Sequence, residues 1–450
     1  MLRRPAGNAT RTAVFRLAWP VMLANLLQTL TTTIDVILVG SLGDGAGSAV
    51  AAVGLGGQFL FLFFSVMIAV SAGTIALIAR AVGAKDGALA DHVLKQSLVL
   101  GAFLSVPLTL VGLFGSGPVL TLMGARADVV SQAAGYIQIV SLTVFFQFIA
   151  FLGNSALRGA GDTRTPLVIG VLVNVVNFLL AVNLVFGSPL APRLEVMGAA
   201  IATGLSYVLG AGAFLFVFLR GRGTLRLSVR GRWVDITTVR RVFRIGWPAA
   251  LEQIMLQVAF FIWVAMVVGY GTEILAAHQI GLRIQMFAFM PGFGFAIAAT
   301  ALVGQNLGRK DSAEAERSGW EAARLSVAVM GATAAFLFVA APWVARAFIG
   351  DPVVIEWAVT FIRIHAMSIP AVGVFFAIDG ALRGAGDTRF PLLASLSGIY
   401  VIRLPLSALL GFLLGFGIVG VWIPLVIEYW YRAFVISNHF RRGRWKTLRV

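Results

Sequence analysis

The chain has 450 residues, of which 59% are hydrophobic and 12% charged, and its mean hydropathy of +0.91 excludes a water-soluble domain, which could not bury so much apolar surface. It contains no cysteine, which excludes a disulfide framework and a thiolate metal site. The formal charge of +16 is scattered between apolar segments instead of forming one basic patch, so no nucleic-acid partner is expected.

Apolar stretches long enough to cross about 30 Å of hydrocarbon occur twelve times and predict an all-α integral membrane protein. In chain order they cover residues 14–40, 48–80, 93–114, 130–157, 166–187, 196–219, 242–269, 275–306, 322–345, 353–382, 390–413 and 417–438. The first stretch follows a basic N-terminus, as in a signal peptide. It is too long for one and lacks a small-residue cleavage site, so we expect a retained helix.

The basic residues predict the orientation of these spans. Of the 35 Lys and Arg, 29 fall in the termini and the alternate loops that would share a side with them, and only Arg126, Arg193 and Arg346 fall in the opposite loops. Because loops rich in Lys and Arg stay in the cytoplasm, both termini are predicted to be cytoplasmic. The expected location is the inner membrane of a bacterial or archaeal cell.

The sequence contains an internal duplication. Residues 156–167 and 381–392 agree at eleven of twelve positions, an offset of 225, and Trp19-Pro20 recurs as Trp247-Pro248 at an offset of 228. Each copy holds six predicted spans, an even number, so the two copies have the same orientation. Parallel repeats of this kind are typical of transporters with two lobes around a central cavity.

The duplication also predicts the domain organisation. Residues 1–219 would form an N lobe with helices 1–6, and residues 242–450 a C lobe with helices 7–12 and a basic cytoplasmic tail. Residues 220–241 would be a basic linker lying against the anionic cytoplasmic leaflet, where its main role is to enforce the topology.

Three motifs resemble the multidrug and toxic compound extrusion (MATE) family, and within it the DinF-like branch. They are the Leu-Arg-Gly-Ala-Gly-Asp-Thr-Arg-x-Pro sequence after spans 4 and 10, the Trp-Pro early in spans 1 and 7, and Asp35-Val-Ile-Leu-Val-Gly40. The resemblance covers essentially the whole chain. It implies a twelve-helix antiporter that exports cationic or amphiphilic organic compounds, including drugs, in exchange for protons or sodium ions, with no cofactor beyond that coupling ion.

The repeated motif first predicts a tight cytoplasmic turn. Glycines permit positive backbone torsion, an aspartate or threonine can cap the next helix, and proline suits its first turn. Arg158 and Arg164 are candidates for pairing with Asp162 or for binding lipid phosphate. A role in an inner gate is the alternative. The motif residues concerned are Arg158, Gly159, Gly161 and Asp162 in the first copy, and Arg383, Gly384, Gly386 and Asp387 in the second.

Asp35 is the first candidate coupling residue, because an ionisable group inside the membrane is costly and usually functional. Gln28, Thr31 and Thr32 precede it at i−7, i−4 and i−3 and place a polar stripe on one helix face. A carboxylate with such neighbours can hold a proton, or coordinate sodium through oxygen ligands. The alternative is an acid at the outer membrane interface, since the helix ends near Gly40.

The resemblance places Asn174 and Asn177 near Asp35. They are three residues apart on span 5 and share a helix face. Some DinF-like members carry a second aspartate one turn later, where this chain has Ala181, so a relay of two aspartates is not expected. Helix packing through asparagine hydrogen bonds is the alternative role.

Glu252 and Asp379 are the coupling candidates of the second half. Glu252 follows Pro248 by one turn, where a carbonyl freed by proline and a carboxylate could bind a cation or proton. Asp379 precedes Arg383 by four residues and could simply form an ion pair within one helix. Its counterpart in the first copy is the neutral Asn154.

Two further polar residues lie within spans of the second half. His278 could sense pH, although a lone histidine near a helix end more often has a packing role. Arg403 lies between Ile402 and Leu404 and needs a carboxylate or carbonyl partner.

Other function classes are disfavoured. The sequence has no metal-ligand spacing, nucleophile elbow or phosphate-binding loop, so we expect neither an enzyme nor a metal site other than sodium at Asp35. The mainly apolar spans argue against a passive channel. A flippase for lipids or lipid-linked sugars from the same broad superfamily remains the alternative function. The expected partners are the lipid bilayer and an organic cation or drug, and the chain is expected to be a monomer.

Overall fold

The computed structural model describes residues 6–42, 46–122, 124, 127–188, 192–221, 225–227 and 233–448. The regular elements in these ranges are all helices, as an apolar chain requires, because a helix satisfies its own backbone hydrogen bonds in lipid. Arg126 and linker residues 222–224 and 228–232, used above for topology, lie outside the described residues.

The helices of the first half of the chain are α1 Ala6–Gly40, α2 Ala46–Gly83, α3 Gly87–Leu122, α4 Ala127–Leu142, α5 Val144–Gly159, α6 Arg164–Phe186 and α7 Glu195–Arg220. Those of the second half are α8 Ile236–Val268, α9 Thr272–Gly308, α10 Ser312–Arg346, α11 Pro352–Ala366, α12 Ile369–Gly384, α13 Arg389–Leu396, α14 Leu404–Ala408 and α15 Gly417–Arg442. Two π-helical segments, Ser397–Arg403 and Leu409–Leu413, flank α14, and a short 3-10 turn, Arg444–Thr447, follows α15.

Ten helical segments are long and apolar enough to cross a membrane, and two bent pairs raise the number to twelve when each pair is one span. The pairs are α4 with α5, bent by 58°, and α11 with α12, bent by 46°. The predicted all-α fold with up to twelve spans is therefore confirmed for the described residues.

The two bends share a local feature in both repeats, and Pro370 adds a second cause of bending at the start of α12. The Thr143 hydroxyl donates to the carbonyl of Val140 at 2.8 Å, and 225 residues later the Ser368 hydroxyl donates to the carbonyl of His365 at 2.7 Å. A hydroxyl that bonds a carbonyl of the preceding turn competes with the helical ladder at that point. Spans 4 and 10, each predicted as one helix, are thus interrupted at equivalent residues.

The chain forms two compact units. The N unit comprises residues 23–247, and the C unit comprises residues 1–22 together with 248–450. These boundaries differ from the predicted lobes, because they fall within α1 and α8, next to Pro20 and Pro248.

Packing within each unit explains where the boundaries fall. In the C unit, Val14, Leu17 and Ala18 of α1 are buried in one core with residues of α9, α10 and α12. In the N unit, Val242 of α8 is fully buried, and its backbone lies against Gly73 of α2. The first turns of α1 and α8 therefore bury their apolar faces in units other than those of their sequence repeats.

Candidate functional site

The C unit contains a buried cluster of charged side chains around Arg383. Its Nη2 donates to Glu252 Oε2 at 2.5 Å, and its Nε donates to Asp379 Oδ2 at 2.8 Å and Oδ1 at 3.0 Å. Glu252 on α8 is only 4% exposed. The predicted pair of Asp379 with Arg383 is therefore present, and the structure adds Glu252 to it.

A second pair of charges extends this cluster. The Ser395 hydroxyl on α13 donates to Glu252 Oε1 at 2.5 Å and accepts from Arg432 Nη2 at 2.7 Å. Arg432 Nη1 in turn donates to Glu428 Oε1 at 2.9 Å, one turn earlier on α15. The hydrogen-bonded network thus runs through four helices and contains three carboxylates and two arginines.

Each of the three carboxylates bonds an arginine directly, but the network has one more carboxylate than arginine and so carries an excess negative charge when all of them are ionised. Arg403 is a further cation beside this network, and it interacts electrostatically with Glu428. Its guanidinium carbon lies 4.0 Å from the ring centre of Trp263, and its Nε has no hydrogen-bond partner. The guanidinium of Arg403 thus interacts with an aromatic ring and with the carboxylate of Glu428, and both stabilise a desolvated cation.

The sequence analysis did not single out Arg432. It falls inside the predicted span 417–438, and the structure places it within α15, where it is 4% exposed. Glu428 and Arg432, with opposite charges four residues apart in an apolar span, were a readable signal for a buried pair. Ser395 gave no such signal, since nothing in its local sequence distinguishes it from a helix-packing serine.

His278 is fully buried and packs among aromatic rings. Its ring centre lies 4.7 Å from that of Trp263, 5.1 Å from that of Phe361 and 6.3 Å from that of Trp422. Neither ring nitrogen has a hydrogen-bond partner. The geometry agrees with the packing role rather than with an exposed sensor of pH.

The N unit places Asp35 in a neutral environment. The carboxylate is half-buried, its Oδ1 has no hydrogen-bond partner, and it interacts electrostatically with the hydroxyl groups of Tyr136 and Tyr207. The Thr31 and Thr32 hydroxyls bond carbonyls of their own helix at 3.0 Å, so their hydroxyl hydrogens do not reach Asp35.

The other predicted residues of the N unit differ in burial. Asn177 is buried, and its Nδ2 lies 3.5 Å from the Thr203 hydroxyl, while its Oδ1 has no hydrogen-bond partner. Asn174 is half-buried, and Gln28 is exposed. Tyr136, Tyr207 and Thr203 were not predicted, because they lie on helices other than those of Asp35 and Asn177, and their proximity to these residues depends on helix packing.

The repeated motif forms a turn and a packing contact. Gly161 and Gly386 have positive φ values of 86° and 83°. A Cβ on Gly159 would meet the backbone carbonyl of Ile75, and one on Gly384 the equivalent carbonyl of Thr300, so these glycines allow close helix packing.

The aspartates of the motif cap the following helices. Asp162 Oδ1 accepts from the backbone N–H of Arg164 at 3.1 Å and of Thr165 at 3.0 Å, and Oδ2 accepts from the Thr165 hydroxyl. Arg158 Nε has no hydrogen-bond partner, and the donors that the structure gives to Asp162 are two backbone N–H groups and one hydroxyl, so a pairing of Asp162 with Arg158 or Arg164 stays a prediction.

The one mismatch in the motif has a structural counterpart. Phe390 replaces the threonine of the first copy, and Asp387 instead contacts His439 Nε2 at 2.8 Å. The rings of Phe390 and His439 stack with their centres 3.6 Å apart. This substitution thus ties the second turn to α15.

Within the part of the chain that the structure describes, no group of three or more His, Cys, Asp or Glu side chains is arranged to hold a metal ion. The buried network can hold a proton or exchange one, because its carboxylates lie close together in a medium that disfavours an uncompensated charge.

The sequence profile of the MatE family matches residues 20–182 and 248–409, one match in each repeat. A probable multidrug resistance protein NorM of Rhodopseudomonas palustris is 33% identical over 435 residues, covering 95% of this chain and 90% of that protein. Another, from Thermotoga maritima, is 29% identical over 446 residues, covering 98% and 94%.

A solved structure described as the outward-facing conformation of a multidrug resistance MATE family transporter of the MOP superfamily has a TM-score of 0.89 and 25% identity, covering 96% of each chain. The similarity in fold and the similarity in sequence therefore both cover nearly the whole chain. With the family profile matched in both repeats, the chain belongs to the MATE family of membrane transporters and is not an enzyme.

Proposed function

We propose that this transporter is a secondary active antiporter for multidrug efflux, which exports cationic or amphiphilic organic compounds in exchange for protons or sodium ions. The names of the relatives support efflux of drugs as the direction and the substrate class. The coupling ion would bind at Glu252 and Asp379, with Asp35 as a second site in the N unit.

A single observation carries this proposal: Glu252 and Asp379 share one cation, Arg383. Two carboxylates that bond one arginine carry a local excess of negative charge, which is costly in a membrane-spanning segment. A proton or a sodium ion would neutralise this charge. Ion binding would thereby favour one conformation of an alternating-access cycle over the other.

Asp35 supports a second coupling site for a different reason. Its Oδ1 lacks a hydrogen-bond partner among the described residues, and the tyrosine hydroxyls that interact with it are neutral. An unpaired carboxylate inside a span is more stable when protonated or when bound to sodium.

The orientation and the assembly belong to the same proposal. The chain would lie in the inner membrane with both termini in the cytoplasm, as the distribution of Lys and Arg requires, and would act as a monomer. Membership of the DinF-like branch stays a prediction.

The test is efflux of ethidium from proteoliposomes under an imposed pH gradient or an imposed sodium gradient, one at a time. The gradient that drives efflux by the wild-type protein identifies the coupling ion. Glu252→Gln should lose at least about tenfold in gradient-driven efflux, since the neutral side chain no longer needs an ion. Glu321→Gln, which removes the partner of the exposed Arg324, is the matched control and should keep the wild-type rate.

Wild-type rates for both Glu252→Gln and Asp379→Asn under both gradients would contradict coupling in the C unit. Asp35→Asn measured in the same way decides whether the N unit takes part. Transfer of a lipid without ethidium efflux would favour the flippase instead.

A further inference from the structure

Glu428 and Arg432 form a buried ion pair that the coupling scheme above does not use. They are 0% and 4% exposed, and their side chains are joined at 2.9 Å. Burial of such a pair is costly, and it contributes little to stability compared with apolar residues of the same size. A pair of this kind therefore calls for an explanation in terms of function.

Ser395 connects this pair to Glu252. A hydroxyl has one hydrogen, and the Ser395 hydroxyl directs it to Glu252 Oε1 while its lone pair accepts from Arg432 Nη2. Because Arg432 can only donate, it excludes the opposite orientation of the hydroxyl. The pair thus forces Ser395 to act as a donor to Glu252.

The internal repeat gives independent support. At the offset of 225, Glu428 and Arg432 correspond to Thr203 and Tyr207 of α7. Tyr207 interacts with Asp35, and Thr203 lies beside Asn177. Tyr207 thus lies near the candidate carboxylate of the N unit, as Arg432 lies near Glu252 through Ser395 in the C unit, and the C unit has charged residues where the N unit has Thr203 and Tyr207.

The neighbouring π-helical segment allows α15 to approach closely. A Cβ on Gly398 would lie 2.8 Å from Arg432 Cγ and 3.2 Å from Glu428 Cγ, so glycine is required for this packing. The equivalent α6 is a regular helix. Irregular π turns of this kind often lie at functional sites.

Several titratable or charged groups face the network, each from a helix packed against it. They are Glu252 of α8, Asp379 and Arg383 of α12, Arg403 of the π-helical segment, and Glu428, Tyr429 and Arg432 of α15. Arg432 also lies 3.8 Å from the ring centre of Phe375, which further fixes its position.

We propose that Ser395 and the Glu428–Arg432 pair are positioning residues that lower the affinity of Glu252 for the coupling ion, so that the ion can be released in each cycle. This inference rests on the proposed function of Glu252. The reason is electrostatic: a donated hydrogen bond stabilises the ionised carboxylate and so disfavours its neutralisation.

The decisive variant is Ser395→Ala, compared with Ser407→Ala. Both serines are fully buried on the same span, and Ser407 donates to the backbone carbonyl of Val421 on α15 at 3.0 Å, whereas Ser395 donates to a carboxylate. Ser395→Ala should shift the pH midpoint of ethidium efflux by about one unit toward alkaline pH, or lower the half-saturating sodium concentration about tenfold. Ser407→Ala should leave both values unchanged.

The charge-neutral double variant Glu428→Gln/Arg432→Gln should shift the midpoint in the same direction, because it frees the Ser395 hydroxyl to turn away. A second readout needs no transport: infrared titration of the carboxyl band in the purified protein, with Glu252→Gln used to assign the band. Ser395→Ala should move that band's midpoint by the same amount.

The outcomes separate this inference from the proposed function. If Glu252→Gln loses ion dependence while Ser395→Ala keeps the wild-type midpoint in both assays, the positioning role is overturned and the coupling role stands. An equal shift in Ser407→Ala would also overturn it. If Glu252→Gln retains wild-type ion dependence, both are overturned.

Discussion

Arg383 occupies in the C unit the position that Arg158 occupies in the N unit, 225 residues earlier, yet only Arg383 lies between two carboxylates. The partner of Arg383 on its own helix, Asp379, corresponds to the neutral Asn154, and Arg158 Nε has no hydrogen-bond partner. The two repeats therefore have an arginine at the same position, but only the C unit has carboxylates beside it.

This difference predicts unequal effects of equivalent mutations. Arg383→Gln should lower the free energy of unfolding by about 3 kcal/mol or more, because it leaves two buried carboxylates unpaired. Arg158→Gln is the matched control, with an expected cost of about 1 kcal/mol or less. Thermal unfolding in detergent measures both, and equal losses would contradict the assignment.

A second prediction concerns the packing of the repeated motif. Gly384→Ala should destabilise the protein by about 1–3 kcal/mol, because its Cβ would overlap the backbone of Thr300 on α9. Gly331→Ala in α10, where a Cβ meets nothing within 4 Å, should be neutral or stabilising by up to about 1 kcal/mol. The measurement is the midpoint temperature of thermal unfolding for each variant. A Gly384→Ala variant as stable as the wild type would contradict the close packing of Gly384 against the backbone of Thr300.

A third prediction concerns the C-terminal turn. Trp445 is fully buried, stacks on Phe440 with ring centres 4.5 Å apart and donates to its carbonyl at 2.7 Å. Trp445→Ala should cost about 3 kcal/mol in unfolding free energy. Trp233→Ala, at an exposed site beside Lys95, should cost below about 1 kcal/mol. Similar losses in the two variants would argue against docking of the tail.

A fourth prediction concerns pH and the residues before α8. The Thr238 hydroxyl, and after it His92, lower the pKa of Asp235 by hydrogen bonding, and Asp235 also accepts from the backbone N–H of Thr237. A carboxyl with a depressed folded pKa stabilises the protein above its unfolded pKa of about 4, and this stabilisation is lost as the pH falls through the folded pKa.

Asp235→Asn retains an amide oxygen for the cap but removes the charge. It should therefore unfold at a lower temperature than the wild type at pH 7, and the difference should shrink as the pH falls below about 4. The measurement is the unfolding temperature of both proteins in detergent from pH 7 to below about pH 4, which gives the sign of the difference and its dependence on pH. A difference that is the same at every pH would contradict a role for the Asp235 charge.

The cytoplasmic turn shows which structural features can be predicted from neighbouring residues alone. Glycine at a positive φ and aspartate as a helix cap were predicted at Gly161 and Asp162, and both are present, because these features depend only on residues a few positions apart. The donors to Asp162 are likewise local, since they are the backbone N–H groups of Arg164 and Thr165 and the Thr165 hydroxyl.

Sequence by itself determined the helical spans, the duplication and the family, because hydropathy and motif spacing are properties of contiguous residues. Only the tertiary structure decided that Glu252 bonds both Ser395 and Arg383, which lie 143 and 131 residues away along the chain. It also decided that Arg432 is buried and that α1 and α8 are each shared by two compact units. Such contacts depend on which helix faces pack together, and hydropathy cannot distinguish one apolar face from another.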